Sequence, residues 1–504
     1  MNIKNKILDF DKLKELRKKN LNKKIVLAHG TYDFFHYGHL SHLKKTKKYG
    51  DVLVVSITAD KFIKKGVNRP IYNQVQRINF LSSIDLIDYV VIVNSLSGVE
   101  IIRELKPDFY SKGAEYKFAK KDFTNKILQE IKELKKFNGK IIYTEEPSLS
   151  SSNIINKFKS QSDDKISIFQ KKIKKKLKFT DIHEKINQIT SKKVLVIGDA
   201  IIDQYVFTSA LSKSPKEEII SVKEEDIKMY PGGIFATANN VSNFAKKVTL
   251  VSLLNRKNIY FNKIKKKLNK NLKCIFFEDK KTDLSVKIRY LDSSNKKLFQ
   301  SNKLNFDSIE DKTEKKILYF LKNNISKYDL VIVNDFGHGL MTSKITKFLE
   351  KNSNKLAVNV QTNSANFGYN FFDKYKKCYY LSLDEPEARY ALRDRKNISK
   401  ILFKKILKKT KSNIVSITYG ANGTKVYSQG KIENIPALSK NVVDSLGAGD
   451  AYFAISSLYS SIDQSPENIG FIGNLVGALK IQYLAHEKYI DRQSLLGYLK
   501  SFLA

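Results

Sequence analysis

The sequence predicts an α/β protein of two domains, each built around a parallel β-sheet. The first observation is length, because 504 residues exceed what one ordinary hydrophobic core accommodates. The second is that short apolar runs alternate with helix-like stretches, which is typical of a parallel sheet covered on both faces. The third is a polar, lysine-rich stretch that interrupts this alternation. We therefore expect a first domain at residues 1–159, a basic linker with a lead-in helix at 160–191, and a second domain at 192–504.

The first domain is expected to consist of strands separated by helices. A strand is predicted wherever a short run of apolar residues is bounded by turn-forming or polar residues. The expected strands are Ile25–Ala28, Val52–Thr58, Tyr89–Val93 and Lys140–Thr144. The expected helices are one that begins around His39 and those at Gln74–Ile84, Gly98–Leu105 and Ser151–Lys159.

The second domain repeats this pattern and adds a smaller feature. Its expected apolar strands are Lys193–Gly198, Val248–Leu254, Leu330–Asn334, Leu356–Asn359, Tyr379–Leu383 and Ile414–Tyr419. Two other stretches, Ile219–Glu224 and Ser285–Tyr290, alternate between polar and apolar residues as half-exposed strands do. We expect these two to form a small β lid over a cleft.

Composition narrows the class of protein. Hydrophobic residues make up 42% of the chain, yet no run of about eighteen apolar residues occurs, so no transmembrane helix is expected. The segment Met1–Lys24 is charged throughout and lacks the apolar stretch of a signal peptide. Cys274 and Cys378 lie far apart and form neither a metal site nor a disulfide framework. This usage fits a reducing compartment, so we expect a cytoplasmic protein.

The formal charge of +40 raises the question of a nucleic-acid or membrane partner. The lysines are spread along the whole chain, however, and the one dense cluster, Lys171–Lys178, is typical of a solvated helix between domains. A basic surface would equally attract nucleotide phosphates. We therefore expect no nucleic acid and no membrane among the partners.

A histidine pair follows the first predicted strand. His36 and His39 end the string Gly30–His39 in an H-x-G-H pattern, at the expected start of a helix. Free backbone N–H groups and the helix dipole favour anions at such a position. Two imidazoles there can hydrogen-bond a triphosphate and stabilise the charge that builds on its α-phosphate, while the phosphate of the other substrate attacks. The string therefore predicts a nucleotidyl-transfer site in which His36 and His39 are catalytic.

In these residues and their order along the chain, the first domain resembles the cytidylyltransferase-like nucleotidyltransferases, which implies a Rossmann-like fold. The nucleotide- and phosphate-binding residues that the resemblance implies are Gly30, Thr31, Lys64, Lys65, Arg77, Ser151 and Ser152. Arg69-Pro70, Lys106–Asp108 and Lys112-Gly113 are similar to the heptose-1-phosphate adenylyltransferase branch. Gly30–Asp33 is closer to the cytidylyl branch, and Glu145–Pro147 stands where the family commonly has a basic residue. Both ATP and CTP therefore stay open as the nucleotide of this site.

The second motif is a glycine-containing loop, Asp444–Asp450, that leads into a helix of small residues at Ala451–Ser461. Its glycines allow backbone N–H groups to crowd together at a helix start and bind a phosphoryl group in its transition state. Asp450 ends the loop and can take a proton from an attacking hydroxyl. The loop therefore predicts a phosphoryl-transfer site with Asp450 as the catalytic base.

From Lys193 to about Glu487 the chain resembles the ribokinase-family sugar kinases, whose signature Asp-Thr-x-Gly-Ala-Gly-Asp differs from this loop only at Ser445. The resemblance implies a ribokinase-like α/β fold, ATP and Mg²⁺ as cofactors, and Glu387 as a residue that acts on Mg²⁺ through water. The ATP-binding residues that it implies are Thr418, Gly420, Gly423, Gly447, Ala448, Gly449 and Asn474. The substrate-binding residues that it implies are Asp199, Asp203, Gly232, Gly233, Asn240, Arg289 and Asp335, with Lys287 beside Arg289 as a further candidate.

Three departures from the kinase pattern fall around this second site. The family's Asn-x-x-Glu reads Asp384–Glu387, so only the glutamate carries over. Ala236 stands where a sugar-binding asparagine is expected, with Asn240 one helical turn later. A segment that the heptose kinases write with Asp-Pro-Lys reads Asn359–Ser364. We therefore expect intact phosphoryl-transfer machinery and an altered sugar pocket.

Two phosphate chemistries on one chain suggest consecutive steps of one pathway. The chain is similar to bifunctional heptose-7-phosphate kinase/heptose-1-phosphate adenylyltransferases in reversed domain order. This similarity implies ATP-dependent phosphorylation of a heptose-phosphate-like sugar, and nucleotidyl transfer to a sugar 1-phosphate with release of pyrophosphate. The expected partners are a sugar or sugar phosphate and a nucleoside triphosphate, and a homodimer stays open.

Two other functions stay open as alternatives. One is a CTP-dependent polyol- or sugar-phosphate cytidylyltransferase fused to a divergent or weakly active kinase-like domain. The other is a nucleotide-sensing or RNA-associated regulator, which the presence of His36, His39 and Asp450 disfavours because a pure binder needs no base.

Overall fold

The computed structural model describes residues 6–117, 126–145, 165–213, 219–255, 257–282, 284–362 and 366–504. Two compact units are present, one formed by Met1–Lys174 with Leu496–Ala504 and the other by Lys175–Leu495. Strands and helices alternate in both units, which confirms the predicted α/β class. Within the ranges described, we find no helix with the length and apolarity needed to traverse a bilayer.

The first unit contains a five-stranded parallel sheet with the strand order β3-β2-β1-β4-β5. Its strands are β1 (Ile25–Gly30), β2 (Val52–Thr58), β3 (Tyr89–Val93), β4 (Phe109–Gly113) and β5 (Lys140–Thr144). Ile25 and Leu27 pack into one buried cluster, whereas Val26 and Ala28 pack into another, so the sheet is covered on both faces. The strand order reverses between β1 and β4. In open α/β sheets, ligands bind at the carboxyl ends of the strands at such a reversal.

The helices of this unit follow the expected alternation with two additions. They are α1 (Leu13–Lys19), α2 (Tyr37–Lys47), α3 (Gln74–Ser82), α4 (Val99–Leu105), α5 (Lys126–Lys135) and α6 (Lys165–Lys176), the last of which ends two residues into the second unit. The two additional helices, α1 and α5, and the strand β4 were not predicted from the sequence. Strand β4 was missed because it buries polar residues: Ser111 is fully buried and its hydroxyl lies 2.6 Å from that of Thr46. The helix expected at Ser151–Lys159 lies outside the described residues.

The second unit contains a nine-stranded sheet with the order β10-β9-β6-β13-β14-β15-β16-β17-β18. It is parallel as far as β16 and antiparallel through the last two strands. Its strands are β6 (Lys193–Gly198), β9 (Lys247–Leu253), β10 (Leu272–Phe277), β13 (Leu330–Asp335), β14 (Leu356–Val360), β15 (Tyr380–Asp384), β16 (Ile414–Thr418), β17 (Thr424–Ser428) and β18 (Lys431–Ile435). The strand order reverses between β6 and β13, which again marks the edge where a ligand is expected.

A smaller four-stranded sheet, β12-β11-β7-β8, contains both of the half-exposed strands predicted from sequence. Its strands are β7 (Ala200–Lys213), β8 (Ile220–Gly233), β11 (Ser285–Leu291) and β12 (Lys297–Lys303). In the register of β11 and β7, Lys287 lies opposite Asp203 and Arg289 lies opposite Tyr205. The smaller sheet therefore places charged residues of neighbouring strands side by side.

Ten helices are described from residue 179 onward. They are α7 (Phe179–Ile189), α8 (Ile234–Ser242), α9 (Phe261–Lys267), α10 (Asp311–Asn324), α11 (Ser343–Asn352), α12 (Glu385–Leu392), α13 (Ser399–Lys409), α14 (Ala448–Ser460), α15 (Pro466–Lys480) and α16 (Arg492–Leu503). Helix α16 begins in the second unit, and its residues from Leu496 onward group with the first.

Candidate active sites

The histidine pair of the first unit lies where β1 gives way to α2. His36 is the N-cap of α2, and its Nδ1 accepts a hydrogen bond of 3.1 Å from the backbone N–H of Gly38. The neutral ring therefore carries its proton on Nε2. The rings of His36 and His39 lie 4.0 Å apart between centroids. His36 Nε2 and His39 Nδ1 are both buried, and neither has a hydrogen-bond partner among the described residues. The pair thus keeps ring nitrogens available for a ligand.

Burial and neighbouring cations hold both imidazoles neutral. Burial lowers the pKa of His39 to about 3, with further lowering from His36, Lys65 and His42. The pKa of His36 is also lowered, first by burial and then by the charge of Lys65. Each ring is therefore a neutral hydrogen-bond donor at pH 7. A bound triphosphate would act in the opposite direction, because negative charge favours the protonated ring.

A buried ion pair between Arg69 and Asp33 fixes the segment that follows β1. Arg69 Nε lies 2.5 Å from Asp33 Oδ2, and both side chains are almost fully buried. The other oxygen of Asp33 accepts hydrogen bonds from the backbone N–H groups of Ile71 (2.6 Å) and Tyr72 (3.1 Å). Asp33 therefore ties the segment after β2 to the segment after β1.

Arg77 performs a similar tying role from α3. Its guanidinium is buried and donates to the carbonyl oxygens of Thr31 (2.6 Å), Thr58 (2.9 Å) and Tyr72 (3.0 Å), and to Asp60 Oδ1 (2.6 Å). These bonds join the ends of β1 and β2. The structure thus places Arg77, Gly30 and Thr31 together, while phosphate binding by Arg77 stays a prediction.

Lys65, another phosphate-binding candidate, interacts electrostatically with the histidine pair. Burial lowers its pKa to about 8, and the charge of Arg69 adds to this effect while that of Asp33 opposes it. Its own charge in turn lowers the pKa of His36 and His39. Ser151 and Ser152 lie outside the described residues.

Sequence reasoning missed a buried polar cluster at the carboxyl ends of β1 and β4. Glu130, from α5, accepts hydrogen bonds from the backbone N–H of Gly98 (2.6 Å) and from the hydroxyl of Tyr110 (3.0 Å). Its carboxylate also pairs with Lys112 at 3.1 Å. Burial lowers the pKa of the neighbouring His29 to about 4. No sequence signal pointed to Glu130, because its partners come from three separate segments.

In the second unit, Asp450 lies in the first turn of α14, directly after the glycine-containing loop. Its Oδ1 accepts hydrogen bonds from Gln361 Nε2 (3.1 Å) and Asn334 Nδ2 (3.3 Å). Burial raises the pKa of Asp450; the charge of His486 opposes this effect, and that of Asp203 adds to it. A carboxylate with a raised pKa is a stronger proton acceptor, which suits a general base.

The loop before Asp450 is held at both ends. Asp444 accepts hydrogen bonds from the backbone N–H groups of Leu446 (3.0 Å) and Ala485 (2.9 Å), and its Oδ1 pairs with Lys297 at 2.6 Å. Gly447, with φ +72°, caps α14, and a Cβ there would overlap the ring of His486. By contrast, a Cβ at Gly449 would meet nothing within 4 Å. The loop is therefore held by protein contacts at Asp444 and Gly447, whereas Gly449 has open space beside it.

Strands β7 and β11 of the smaller sheet hold a buried ion pair. Arg289 Nη1 lies 2.5 Å from Asp203 Oδ1, and His486 Nε2 lies 3.4 Å from Asp203 Oδ2. Burial would raise the pKa of Asp203, but the hydrogen bond from His486 and the charge of Arg289 hold it well below its usual range. A Cβ at Gly232 would overlap Asp203 Oδ2, so only glycine fits beside this carboxylate.

Gly233 follows Gly232 with φ +54°, which favours glycine, and it caps α8. In the second unit, His486 was not predicted from the sequence because it lies in no motif. The fold brings it close to both Asp203 and Gly447.

Asp199 and Asp335 order the segment after β13. Asp199 accepts hydrogen bonds from the backbone N–H groups of Phe336 (2.9 Å), His338 (3.2 Å) and Leu340 (3.3 Å). Asp335 Oδ2 accepts from the Tyr375 hydroxyl (2.7 Å) and pairs with Lys374 (2.5 Å). Both carboxylates therefore stabilise the protein itself, and their contact with a sugar stays a prediction.

Asn240 and Asn474 are likewise engaged by the protein. Asn240 donates to the carbonyl of Ala236 (3.0 Å) and accepts from the N–H of Ile490 (3.0 Å). Asn474 accepts from the Thr424 hydroxyl (2.7 Å) and donates to the carbonyls of Ile435 and Pro436. Thr418 ends β16, and Gly420 and Gly423 lie in the turn between β16 and β17. Substrate binding by Asn240 and nucleotide binding by the other residues remain predictions.

Glu387 fits an indirect role toward a divalent cation. Its Oε1 accepts from the N–H of Thr362 (3.3 Å), and its Oε2 accepts from the N–H of Asp384 (2.8 Å) in a capping box at the start of α12. Burial and the charge of Asp384 raise its pKa well above the usual value. The described residues contain no group of three His, Cys, Asp or Glu side chains suited to hold a metal. The action of Glu387 on Mg²⁺ through water therefore stays a prediction.

Comparison with known families assigns each unit separately. A cytidylyltransferase-like family model matches residues 27–157, and a model of the pfkB family of carbohydrate kinases matches residues 191–487. The bifunctional protein HldE of Campylobacter fetus is 37% identical over 156 residues, which cover 31% of this chain and 31% of that protein. HldE of Aliarcobacter butzleri is 38% identical over 138 residues, covering 27% of this chain and 29% of that protein.

The match lies in the N-terminal part of this chain and covers about a third, or less, of the length of these relatives. Its two domains stand in the reverse of their order in HldE.

Solved structures support the fold of the second unit. A mutant of phosphofructokinase-2 from Escherichia coli superposes with a TM-score of 0.51 at 10% identity, covering 62% of this chain and 99% of that chain. The same enzyme in complex with potassium gives a TM-score of 0.50 at 12% identity, with the same coverage. At this level of identity the likeness shows the fold, and the ribokinase-like prediction is confirmed.

Proposed function

The chain belongs to the pfkB family of carbohydrate kinases, with a cytidylyltransferase-like domain before its kinase domain, and we propose that it is a bifunctional enzyme of nucleotide-sugar synthesis. The observation that supports this proposal is the pairing of two phosphate sites in one chain. One has a neutral histidine pair with available ring nitrogens, and the other has a half-buried carboxylate with a raised pKa, Asp450, after a glycine-containing loop that is open at Gly449. A binding module would need neither.

In the kinase step, a sugar hydroxyl attacks the γ-phosphate of ATP. Asp450 takes the proton of that hydroxyl, the bond between the γ-phosphate and ADP breaks, and ADP leaves. Gln361 and Asn334 orient the carboxylate through Oδ1. The backbone N–H of Gly449, in the first turn of α14, would bind the transferred phosphoryl group, since the N–H of Ala448 donates to the carbonyl of Ser445 at 3.2 Å. Mg²⁺ would neutralise phosphate charge, with Glu387 acting through water.

In the nucleotidyl-transfer step, a phosphate oxygen of the sugar 1-phosphate attacks the α-phosphate of ATP or CTP. The bond from the α-phosphorus to the bridging oxygen breaks, and pyrophosphate leaves. His36 and His39 donate hydrogen bonds to the charge that develops on the α-phosphate, and Lys65 and Lys64 neutralise the phosphate chain. The proposed substrate of the kinase is a heptose-phosphate-like sugar, and we propose residues 1–159 as the nucleotidyltransferase domain and residues 192–504 as the kinase domain.

Product analysis tests this proposal directly. Purified protein is incubated with Mg²⁺, ATP or CTP, and a panel of sugars and sugar phosphates, and mass spectrometry follows nucleotide sugar, pyrophosphate and ADP. We expect a nucleotide sugar with one of the two nucleotides and sugar-dependent release of ADP. CTP-dependent product without any ADP release would favour the alternative of a cytidylyltransferase joined to an inactive kinase-like domain. Absence of both products across the panel would contradict the proposal.

Gly232→Ala is expected to damage the kinase site alone. The added Cβ overlaps Asp203 Oδ2, so the carboxylate must leave Arg289 and His486. Because the pair is buried, we expect KM for the sugar to rise by about 10-fold or more, with nucleotidyl transfer unchanged. Steady-state assays of both activities on one preparation check this. Gly477→Ala is the matched control, since its Cβ would meet nothing within 4 Å, and equal KM values for the two variants would contradict the expectation.

A further inference from the structure

The segment Leu496–Ala504 follows the kinase domain in the sequence but groups with the first unit. It lies beyond both matched ranges, residues 27–157 and 191–487. The family matches therefore do not account for its grouping with the first unit. Its residues form the greater part of α16.

Two close approaches join this part of α16 to the loop that carries the lysine candidates. A Cβ at Gly497 would overlap the backbone carbonyl oxygen of Lys64, so the helix backbone lies directly on the loop backbone. A Cβ at Gly66, which has φ +103°, would overlap the ring of Tyr498. Each glycine therefore leaves room for the other element, and the contact has no space for a side chain at either position.

The same part of α16 is anchored by its other residues. Tyr498 is 8% exposed and Phe502 is 6% exposed, and their rings pack edge to face at 6.2 Å. Gln170 Nε2 donates to the carbonyl of Phe502 at 2.7 Å, and Lys174 Nζ donates to the carbonyl of Ala504 at 2.9 Å. Both donors lie on α6. Contacts with α6 therefore hold the part of α16 that touches the loop.

The loop leads from this contact to the histidine pair. Lys65 stands between Lys64 and Gly66, the two residues that α16 contacts. Its charge lowers the pKa of both His36 and His39, so its ammonium group lies within electrostatic reach of the two rings. A shift of the loop would therefore move the ammonium group of Lys65 relative to the histidine pair.

We propose that Gly497 and Tyr498 position the Lys64–Gly66 loop for nucleotide binding, so that α16 is a working part of the nucleotidyltransferase site. The inference rests on the proposed function for the identity of the ligand, a nucleoside triphosphate. Gly497 and Tyr498 are positioning residues, because they act through the loop and touch no reacting atom. Loss of the contact weakens triphosphate binding by displacing Lys65.

The test compares four variants of the full chain: Gly497→Ala, Tyr498→Ala, Tyr498→Phe and the control Gly477→Ala. Hydrogen exchange, followed by mass spectrometry, reports on the loop peptide, and titration with ATP and CTP reports on binding. We expect faster exchange at the loop and a Kd for the triphosphate raised by about 10-fold or more in the first two variants. Tyr498→Phe keeps the ring that covers Gly66 and should behave as the wild type, as should Gly477→Ala.

Steady-state kinetics separate positioning from general damage. A displaced Lys65 raises KM for the nucleotide more than it lowers kcat, whereas partial unfolding lowers kcat in proportion to the active fraction. Unchanged loop exchange in Tyr498→Ala and Gly497→Ala would overturn the proposed packing. Altered exchange with unchanged Kd and KM would overturn the positioning role. If the wild type binds nucleotide and yields no nucleotide sugar, the proposed function fails while the exchange and binding results still decide this inference.

Discussion

Nucleotidyl transfer by His39→Ala is expected to fall by about 10²–10³-fold, since loss of one preorganised donor to developing charge typically has that effect. His39 is neutral at pH 7 because burial lowers its pKa to about 3, so its contribution is a hydrogen bond and not a permanent charge. Its Nδ1 is buried without a partner among the described residues, which leaves that atom available to the triphosphate. Formation of nucleotide sugar at saturating substrate, compared with wild type, measures the loss.

His42→Ala is the matched control for this variant, as it removes an imidazole from the same helix one turn further along. Nδ1 of His42 lies 2.6 Å from the hydroxyl of Thr144, and the ring is not part of the His36–His39 pair. We expect it to retain most of the activity, and we expect sugar-dependent ADP release to be equal in all three proteins. A His39→Ala protein with wild-type nucleotidyl transfer would remove the basis for the first site.

Asp450→Asn is expected to lower phosphoryl transfer by about 10²–10⁴-fold with little change in ATP binding. The amide keeps the size of the carboxylate but cannot accept the proton of the sugar hydroxyl. Burial raises the pKa of Asp450, which increases its basicity, and Gln361 and Asn334 fix one of its oxygens. ADP release in the presence of each sugar of the panel, with ATP affinity from titration, separates loss of chemistry from loss of binding.

Gln361→Ala gives a graded comparison with Asp450→Asn. It removes one donor to Asp450 Oδ1 and leaves the carboxylate in place, so its effect should be smaller than that of Asp450→Asn. A wild-type protein that releases no sugar-dependent ADP would assign the second unit to a divergent kinase-like domain. An Asp450→Asn protein as active as an active wild type would instead contradict the role of Asp450 as the base.

Local patterns predicted the parts of the sites that depend on adjacent residues. His36 and His39 could be placed at a helix start because an unbroken apolar strand precedes them, and Asp450 could be placed because its loop is contiguous. His486 and Glu130 could not be placed, since their partners are brought to them by the fold from distant segments. Strand β4 escaped prediction because its buried polar residues satisfy one another across elements that a sequence window does not join.

The expected sugar-pocket residues show a second limit of sequence reasoning. Motif position alone suggested that Asp199, Asp335 and Asn240 face a substrate. The fold engages each of them in hydrogen bonds with the protein itself, which gives a structural reason for their presence. Arg77 is a parallel case in the first unit, where backbone carbonyls and Asp60 accept its hydrogen bonds.

The contact between Gly497 and Lys64 can form only late in the synthesis of the chain. More than 400 residues separate the two positions, so at about 5–20 residues per second the ribosome delivers α16 roughly 20–90 s after the loop it covers. The last strand of the five-stranded sheet ends at Thr144, so this sheet can fold long before α16 has been synthesised. A nascent chain therefore spends this interval with its histidine pair assembled and its lysine loop uncovered. We expect nucleotide affinity to mature late, when the second unit has already been translated.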